Sequence, residues 1–207
     1  MTGTLLVVCT ANICRSPLAQ REFQRAFSSD RRFAAVEVTS AGTRALEGRP
    51  MCAVSAAALP DDADDDGFAE AHRSQPLSAE AVRRSDLVLV MERDHRSTVA
   101  QLAPGTQARV FTLREAEGLL AVLQERDAPP VGDLAALASA LHSVRGFAPL
   151  PPEPPKRRWF QRPVEPEDPL TIVDGHGLDD ELHAAAVAAV RETAGRVAGA
   201  LLVRLGP

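Results

Sequence analysis

Short apolar runs and stretches with helical spacing alternate along the chain. Four runs rich in β-branched and aliphatic residues have the length of buried strands, at 4–8, 36–40, 85–91 and 108–112. Between and after them, apolar residues recur at helical spacing over 51–59, 78–84, 94–102, 114–123 and 178–205. A further helix is predicted after the first strand, because Ser16 suits the cap position and Pro17 the first helical position. This alternation predicts an α/β fold, a three-layer sandwich around a four-stranded parallel sheet.

Two segments interrupt this alternation. The stretch 61–67 holds five carboxylates in seven residues and is predicted to be a solvated loop. A cation site is the alternative, although adjacent side chains rarely converge on one ion. The stretch 149–169 holds eight prolines and is predicted to be a surface segment without regular structure. The chain is therefore interpreted as one domain over 1–207 with a Pro-rich insertion at about 146–167.

Composition narrows the class of protein. With 207 residues, 45% of them apolar, the chain is long enough to bury a core, and it has no apolar run of 18 residues that would indicate a membrane span. No basic region precedes the four apolar residues 5–8, so no signal peptide is predicted. A net charge of -5 without a large basic block argues against nucleic acid as a partner. Three cysteines are too few for a disulfide scaffold, so we expect a reducing compartment, the cytoplasm.

The candidate chemistry lies between the first strand and the first helix. Cys9 ends the strand and Arg15 stands at the mouth of the helix, with five residues between them. Backbone N–H groups of such a loop, together with a helix N-terminus, form an anion cradle, and the Arg15 fork can hold two phosphate oxygens. The same positive field favours a thiolate at Cys9, which is a nucleophile toward a bound phosphate. The loop residues predicted to bind phosphate are Thr10, Ala11, Asn12, Ile13, Cys14 and Ser16.

The run from Cys9 to Pro17, Cys-Thr-Ala-Asn-Ile-Cys-Arg-Ser-Pro, resembles the phosphate-binding loop of low-molecular-weight protein-tyrosine phosphatases. The resemblance continues in the segments 40–43, 72–74 and 86–91, covers about residues 3–120, and returns near Asp168-Pro169 and the last helix. It implies a four-stranded parallel sheet with flanking helices. It also implies hydrolysis of phosphotyrosine on protein substrates through a phosphocysteine, with no metal and no cofactor.

The resemblance also assigns roles to individual residues. Cys9 resembles the nucleophile and Arg15 the clamp on the transition state. A hydrogen-bond network that holds the loop in shape is implied for Asn12, Ser16, Ser40 and His72, with the Ser16 hydroxyl donating to the thiolate. The four other histidines are expected to be surface groups, namely His95, His142, His176 and His183.

The general acid is less clear from the residues. A phenolate leaving group needs a proton, and a carboxylic acid near the loop is the usual donor. The family places this Asp before a Pro, shortly ahead of the last helix, and Asp168-Pro169 meets both conditions. Asp174 is the rival candidate, and a simple turn at Asp168-Pro169 is the structural alternative.

Several positions depart from the family pattern. Ala11 stands where the family has Gly, which costs little if the backbone φ there is negative. Leu170 and Thr171 follow Asp168-Pro169 in place of aromatic residues, and Leu46 stands where the family has Trp. The stretch between the third strand and Asp168 is also about 40 residues longer than in the family. We therefore expect an intact catalytic loop below an altered substrate rim.

Two other functions are compatible with the loop. Arsenate reductase would need two further cysteines as a disulfide relay, and only Cys14 and an isolated Cys52 are present. A phosphate- or phosphopeptide-binding module with little catalysis is the second alternative, motivated by the altered rim. Cys14 could in addition protect Cys9 as a reversible disulfide, or simply pack beneath the loop.

Overall fold

The computed structural model describes residues 1–59, 67–147, 168–177 and 179–206. The carboxylates at 61–66 and residues 148–167 of the predicted Pro-rich insertion lie outside the described residues. Among the helices of the described ranges, none combines the length and the apolar content that crossing a membrane requires.

Four parallel strands form one sheet, as the sequence predicts. They are β1 (Thr2–Cys9), β2 (Ala35–Gly42), β3 (Leu87–Val90) and β4 (Val110–Thr112), in the order β2-β1-β3-β4. The chain leaves β1 for β2 on one side and reaches β3 on the other side. The crevice beyond the carboxyl end of β1 is therefore the topological switch point, where ligands bind in open α/β sheets.

Eight helices surround the sheet in the described part of the chain. They are α1 (Arg15–Ser28), α2 (Ala53–Ala57), α3 (Phe68–Ala71), α4 (Ala79–Arg84), α5 (Arg93–Leu102), α6 (Leu113–Glu125), α7 (Leu134–Ser143) and α8 (Asp180–Arg204). Leu5 and Val7 of β1 face a core built with α1, α6, α7 and α8, whereas Leu6 and Val8 face α4 and α5. Both faces of the central strand are buried, which explains its nearly continuous apolar run.

Helix α1 begins at Arg15, earlier than the predicted start at Pro17. The predicted cap, Ser16, lies inside the helix, and Cys14 occupies the cap position without a side-chain hydrogen bond. The Ser16 hydroxyl instead lies 3.0 Å from Cys9 Sγ and accepts a hydrogen bond from Asn12 Nδ2 at 2.9 Å. The cap prediction was wrong because the tertiary contacts of the loop recruit this hydroxyl for the sulfur.

Helix α7 was missed by the sequence prediction. The Asp133 side chain caps it by accepting from Ala136 N at 2.8 Å, and Leu134, Leu137 and Leu141 are fully buried against the sheet and helices. Asp before leucines spaced three and four apart is a helix signal that the nearby prolines obscured. Part of the extra length between β3 and Asp168 is thus a packed helix and not only a Pro-rich segment.

Candidate active site

The carbonyl groups of the loop after β1 point outward. Four of them accept a hydrogen bond from a surrounding segment: Cys9 O from Thr43 N (2.9 Å), Thr10 O from Arg44 N (2.8 Å), Asn12 O from His72 Nε2 (2.8 Å) and Ile13 O from Cys52 N (2.7 Å). In a trans peptide the following N–H points opposite to the carbonyl. The N–H groups that follow these four carbonyls are therefore turned toward the centre of the loop, where they are placed to hold an anion.

The Asn12 side chain bonds the loop to the segments around it. Its backbone adopts φ 54°, a left-handed conformation that Asn tolerates better than most residues. Its Nδ2 donates to Ser16 Oγ at 2.9 Å and Ser40 Oγ at 2.8 Å, and its Oδ1 accepts from Gln75 N at 2.8 Å. The side chain is fully buried, and these bonds link the loop to β2 and to the segment after α3.

The substitution of the family's Gly by Ala11 causes no backbone strain, because Asn12 alone has a positive φ within the loop, which is fully described. The glycine that the loop does require is Gly42, at the end of β2. A Cβ there would lie 2.7 Å from Thr10 O and 2.9 Å from the Ala11 carbonyl carbon. Gly42 thus allows the end of β2 to pack directly on the loop backbone.

Cys9 is buried and receives two hydrogen bonds at its sulfur. Asn12 N donates to Sγ at 3.2 Å, and Ser16 Oγ lies 3.0 Å from Sγ. Because Ser16 Oγ already accepts from Asn12 Nδ2, its own proton is available to the sulfur. Both contacts stabilise a thiolate, the form that acts as a nucleophile.

Arg15 is buried at the entrance to α1 and makes ionic contacts with two carboxylates. Its Nη1 lies 2.5 Å from Glu92 Oε1 and donates to Ile172 O at 2.8 Å. Its Nη2 donates to Thr10 Oγ1 at 3.1 Å and lies 2.5 Å from Asp174 Oδ2. Burial opposes the charge of Arg15, but the negative groups around it outweigh burial and raise its pKa above the usual value.

The segment that contains both candidate acids crosses the loop at Arg15. Asp174 is the candidate that contacts Arg15, whereas Asp168 Oδ2 pairs with Arg93 Nε at 2.8 Å. Asp168 Oδ1 also accepts from Leu170 N at 3.1 Å, which closes a local turn. The sequence did not single out Glu92, although its place just after β3, at the carboxyl edge of the sheet, is a signal that could have found it.

Two histidines, His72 and His95, contact the loop, although only His72 was expected to do so. His72 is half-buried and donates to Asn12 O, and burial is the main cause that lowers its pKa. His95 was expected on the surface, but it is buried and its Nε2 lies 3.1 Å from Thr10 Oγ1. Burial lowers the pKa of His95 to about 4. The expectation failed because the first turn of α5, where His95 lies, packs against the loop.

The expectations for His183 and Cys52 were also wrong. His183 is buried, and His176, although exposed, has its Nδ1 only 3.4 Å from Cys14 Sγ. Cys52, which appears isolated in the sequence, lies beside Cys14 and has its sulfur 3.6 Å from His183 Nε2. The neighbouring Cys14 thiol is the main cause that lowers the pKa of Cys52. Of the four histidines, His142 and His176 are exposed as expected.

Two positions of the expected substrate rim carry aliphatic side chains. Leu46 is 72% exposed, and its carbonyl accepts a hydrogen bond from Ser74 Oγ at 2.5 Å, which fixes the backbone but not the side chain. Leu170 is half-buried in the turn after Asp168. Neither residue supplies the aromatic wall that the resemblance implies.

Comparison with known proteins identifies the family. The model of the low molecular weight phosphotyrosine protein phosphatases matches residues 4–121. The chain belongs to this family. It is 37% identical over 110 residues to the low molecular weight protein-tyrosine-phosphatase Etp of Escherichia coli K12, covering 53% of this chain and 68% of Etp. It is 35% identical over 117 residues to the probable phosphatase EpsP of Ralstonia nicotianae, covering 56% of this chain and 74% of EpsP.

Solved structures agree on the fold. The tyrosine phosphatase Wzb from Escherichia coli K30, in complex with phosphate, superposes with a TM-score of 0.59 at 20% identity, covering 96% of this chain and 98% of Wzb. The YwlE arginine phosphatase from Geobacillus stearothermophilus superposes with a TM-score of 0.60 at 23% identity, covering 97% of this chain and 94% of YwlE. Both share the phosphatase fold predicted from the sequence.

Proposed function

We propose that this phosphatase hydrolyses phosphotyrosine in cytoplasmic proteins through a phosphocysteine on Cys9, with no metal or cofactor in the reaction. One observation carries the proposal. Four loop carbonyls are bonded outward, which leaves the N–H groups that follow them, with the buried Arg15, to hold an anion within the loop that begins at Cys9. This arrangement suits a trigonal bipyramidal phosphoryl group, whose equatorial oxygens need several donors at once.

The reaction follows from the groups present. The Cys9 thiolate attacks phosphorus in line with the leaving oxygen, the S–P bond forms and the O–P bond breaks. Asp168 gives its proton to the departing phenolate, so the tyrosine side chain leaves as a neutral phenol. A water molecule then attacks the phosphocysteine, Asp168 takes its proton, and phosphate leaves with the thiolate restored.

Asp174 remains the competing candidate for the acid. It contacts Arg15 Nη2, a nitrogen that the bound phosphate needs for a two-point contact. We propose that Asp174 gives way when phosphate binds, whereas Asp168 can keep its place in the turn. Glu92 and Ile172 O hold the opposite nitrogen, Nη1, and can stay in contact.

The preference for phosphotyrosine rests on the sequence relatives. The relatives Etp, EpsP and Wzb, which match at 34–37% identity, are named protein-tyrosine phosphatases or probable ones, while the arginine phosphatase is similar only in fold, at 23% identity. The test is therefore a steady-state comparison of matched peptides with phosphotyrosine, phosphoserine and phosphoarginine, together with para-nitrophenyl phosphate. We expect the phosphotyrosine peptide to have the highest kcat/KM.

The covalent step is tested by replacing the nucleophile. Cys9→Ser should lose all measurable turnover of para-nitrophenyl phosphate and still bind vanadate, because the cradle consists of backbone N–H groups and Arg15. Acid quench of the wild type during turnover should trap a phosphoryl group on the peptide that contains Cys9. More than a few per cent of wild-type activity in Cys9→Ser would falsify the covalent mechanism. Phosphopeptide binding without turnover in the wild type would favour the binding-module alternative.

A further inference from the structure

Four potential metal ligands converge beside the phosphate-binding loop. They are the sulfurs of Cys14 and Cys52 and one ring nitrogen each of His176 and His183, and all four atoms lie within 4.8 Å of one another. Cys14 takes part in the phosphate cradle through its backbone only. The proposed reaction uses none of these four side chains, so the cluster needs its own explanation.

The distances inside the cluster suit a tetrahedral ion. Cys14 Sγ lies 3.4 Å from His176 Nδ1, and Cys52 Sγ lies 3.6 Å from His183 Nε2. Zinc bonds of about 2.3 Å to sulfur and about 2.0–2.1 Å to nitrogen, at tetrahedral angles, place sulfur and nitrogen about 3.6 Å apart. Two thiols and two imidazoles form a soft donor set that selects zinc over magnesium or calcium.

The backbone around the cluster is already in place. Cys52 N donates to Ile13 O at 2.7 Å, which brings the start of α2 to the residue before Cys14. Gly175 packs so closely on the first turn of α8 that a Cβ would lie 2.6 Å from the Cα of His183. This close approach brings the neighbouring His176 to His183, and their rings meet edge to face with centroids 5.5 Å apart.

Burial and access also favour a bound ion. Cys14 and His183 are buried and Cys52 is half-buried, so an ion would be shielded, while the exposed His176 leaves a path for it from solvent. A cluster of this kind without a metal would leave thiols and imidazoles bonded weakly to one another. The four residues come from four separate segments, so one ion would connect all of them.

The geometry points to a tetrahedral zinc site formed by Cys14, Cys52, His176 and His183. The ion would join the end of the phosphate-binding loop to α2, to the segment 168–177 and to α8. Both cysteines bind as thiolates and their protons pass to solvent. The ion is structural and lies outside the phosphatase reaction.

Metal titration tests the site directly. Reduced, metal-free protein is titrated with Co²⁺, whose tetrahedral thiolate complexes show intense visible and charge-transfer absorption. Zn²⁺ should then displace the cobalt and bleach the spectrum at one equivalent per chain. Cys52→Ser and His183→Gln should each weaken the binding of zinc at least 10-fold in competition with a chromogenic chelator. The controls Cys9→Ser and His142→Gln should bind zinc like the wild type.

Specific outcomes would overturn the site. These are a weak octahedral cobalt spectrum, no uptake, or unchanged affinity in both ligand variants. Thermal unfolding with and without zinc shows whether each variant folds, and zinc should raise the Tm of the wild type and of the two controls, Cys9→Ser and His142→Gln, but not of the two ligand variants. The metal-free wild type is assayed in parallel on para-nitrophenyl phosphate. Hydrolysis without zinc uptake would refute the metal site alone, whereas zinc uptake without hydrolysis would refute the proposed function alone.

Discussion

The loop at 9–16 and the rim around it, defined as Leu46 and the segment 168–177, are built on different principles. In the loop, the outward carbonyls and the buried Asn12 side chain are bonded to β2 and to the segments that follow it. At the rim, Leu46 is 72% exposed and Asp168 is held by Arg93, itself 54% exposed. Hydrogen bonds to the backbone thus hold the loop in shape, whereas the expected substrate rim depends on a few side chains. The rim side chains can therefore change without disturbing the loop.

Arg15 connects the loop to the rim. One of its nitrogens contacts Glu92, at the carboxyl edge of the sheet, and the other contacts Asp174 of the rim. Ile172 O also binds Arg15, so the segment with both candidate acids is anchored to the loop through one guanidinium. A change at the rim is therefore expected to alter catalysis through the acid rather than through the cradle.

The largest loss of activity is expected when the candidate acid, Asp168, is replaced. Asp168→Asn should slow hydrolysis of phenolic esters by roughly 10²–10⁴-fold, since the amide cannot protonate the leaving oxygen. The loss should shrink as the leaving group becomes more acidic, which a series of substituted phenyl phosphates measures. Asp174→Asn is the matched comparison and should show little dependence on the leaving group. If Asp174→Asn shows that dependence and Asp168→Asn does not, the two roles must be exchanged.

The next effect tests how the loop holds its shape. Asn12→Ala should lower the free energy of unfolding by about 3 kcal/mol. Alanine is strained in the left-handed backbone conformation, and the buried groups that bond to the Asn12 side chain lose their partner. Asn12→Gly should recover about 1 kcal/mol by relieving the strain alone. Asp127, exposed and with φ 48°, provides the control, since its Ala and Gly variants differ by strain only. An equal Ala-to-Gly difference is expected at both positions in chemical denaturation, and both Asn12 variants should bind vanadate more weakly.

A smaller effect is the pH dependence that His95 gives to the stability of the fold. The pKa of His95 is lowered from 6.5 to about 4 by burial, so its neutral form stabilises the fold. This stability is complete above pH 6.5 and is lost as the pH falls toward about 4, up to about 3 kcal/mol. Denaturation curves across this range should show a weaker pH dependence for His95→Gln than for the wild type. The exposed His142→Gln should keep the wild-type dependence, and equal slopes in all three proteins would contradict the assignment.

The smallest effect concerns the rim. Ring stacking worth roughly 0.5–1.5 kcal/mol is missing where Leu46 and Leu170 replace aromatic residues. Leu170→Tyr should therefore lower the KM for phosphotyrosine peptides by about 2- to 10-fold with little change in kcat. Leu46→Trp should act in the same direction. The exposed Val203, far along α8, offers a control in Val203→Tyr, which should leave the KM unchanged. A wild-type enzyme that already binds such peptides tightly would mean that another group supplies the wall.

The parts of the site that are close in sequence were predictable. Cys9 and Arg15 lie on one loop between a strand and a helix, and this context, together with their spacing, indicated an anion site. His95 and Cys52 were misjudged because their partners lie 85 and 131 residues away in the chain, at Thr10 and His183. Helix α7 was missed since its apolar face is short and lies between proline-rich stretches.

The sequence by itself determined the strands, their parallel arrangement and the nature of the loop, because these depend on periodicity and on neighbours along the chain. Only the tertiary structure decided that Asp174, rather than Asp168, contacts Arg15. It also brought two cysteines and two histidines from separate segments within 4.8 Å of one another. Contacts of this kind arise when a strand end, a loop and two helices pack together, and no local pattern of side chains records which of them will meet.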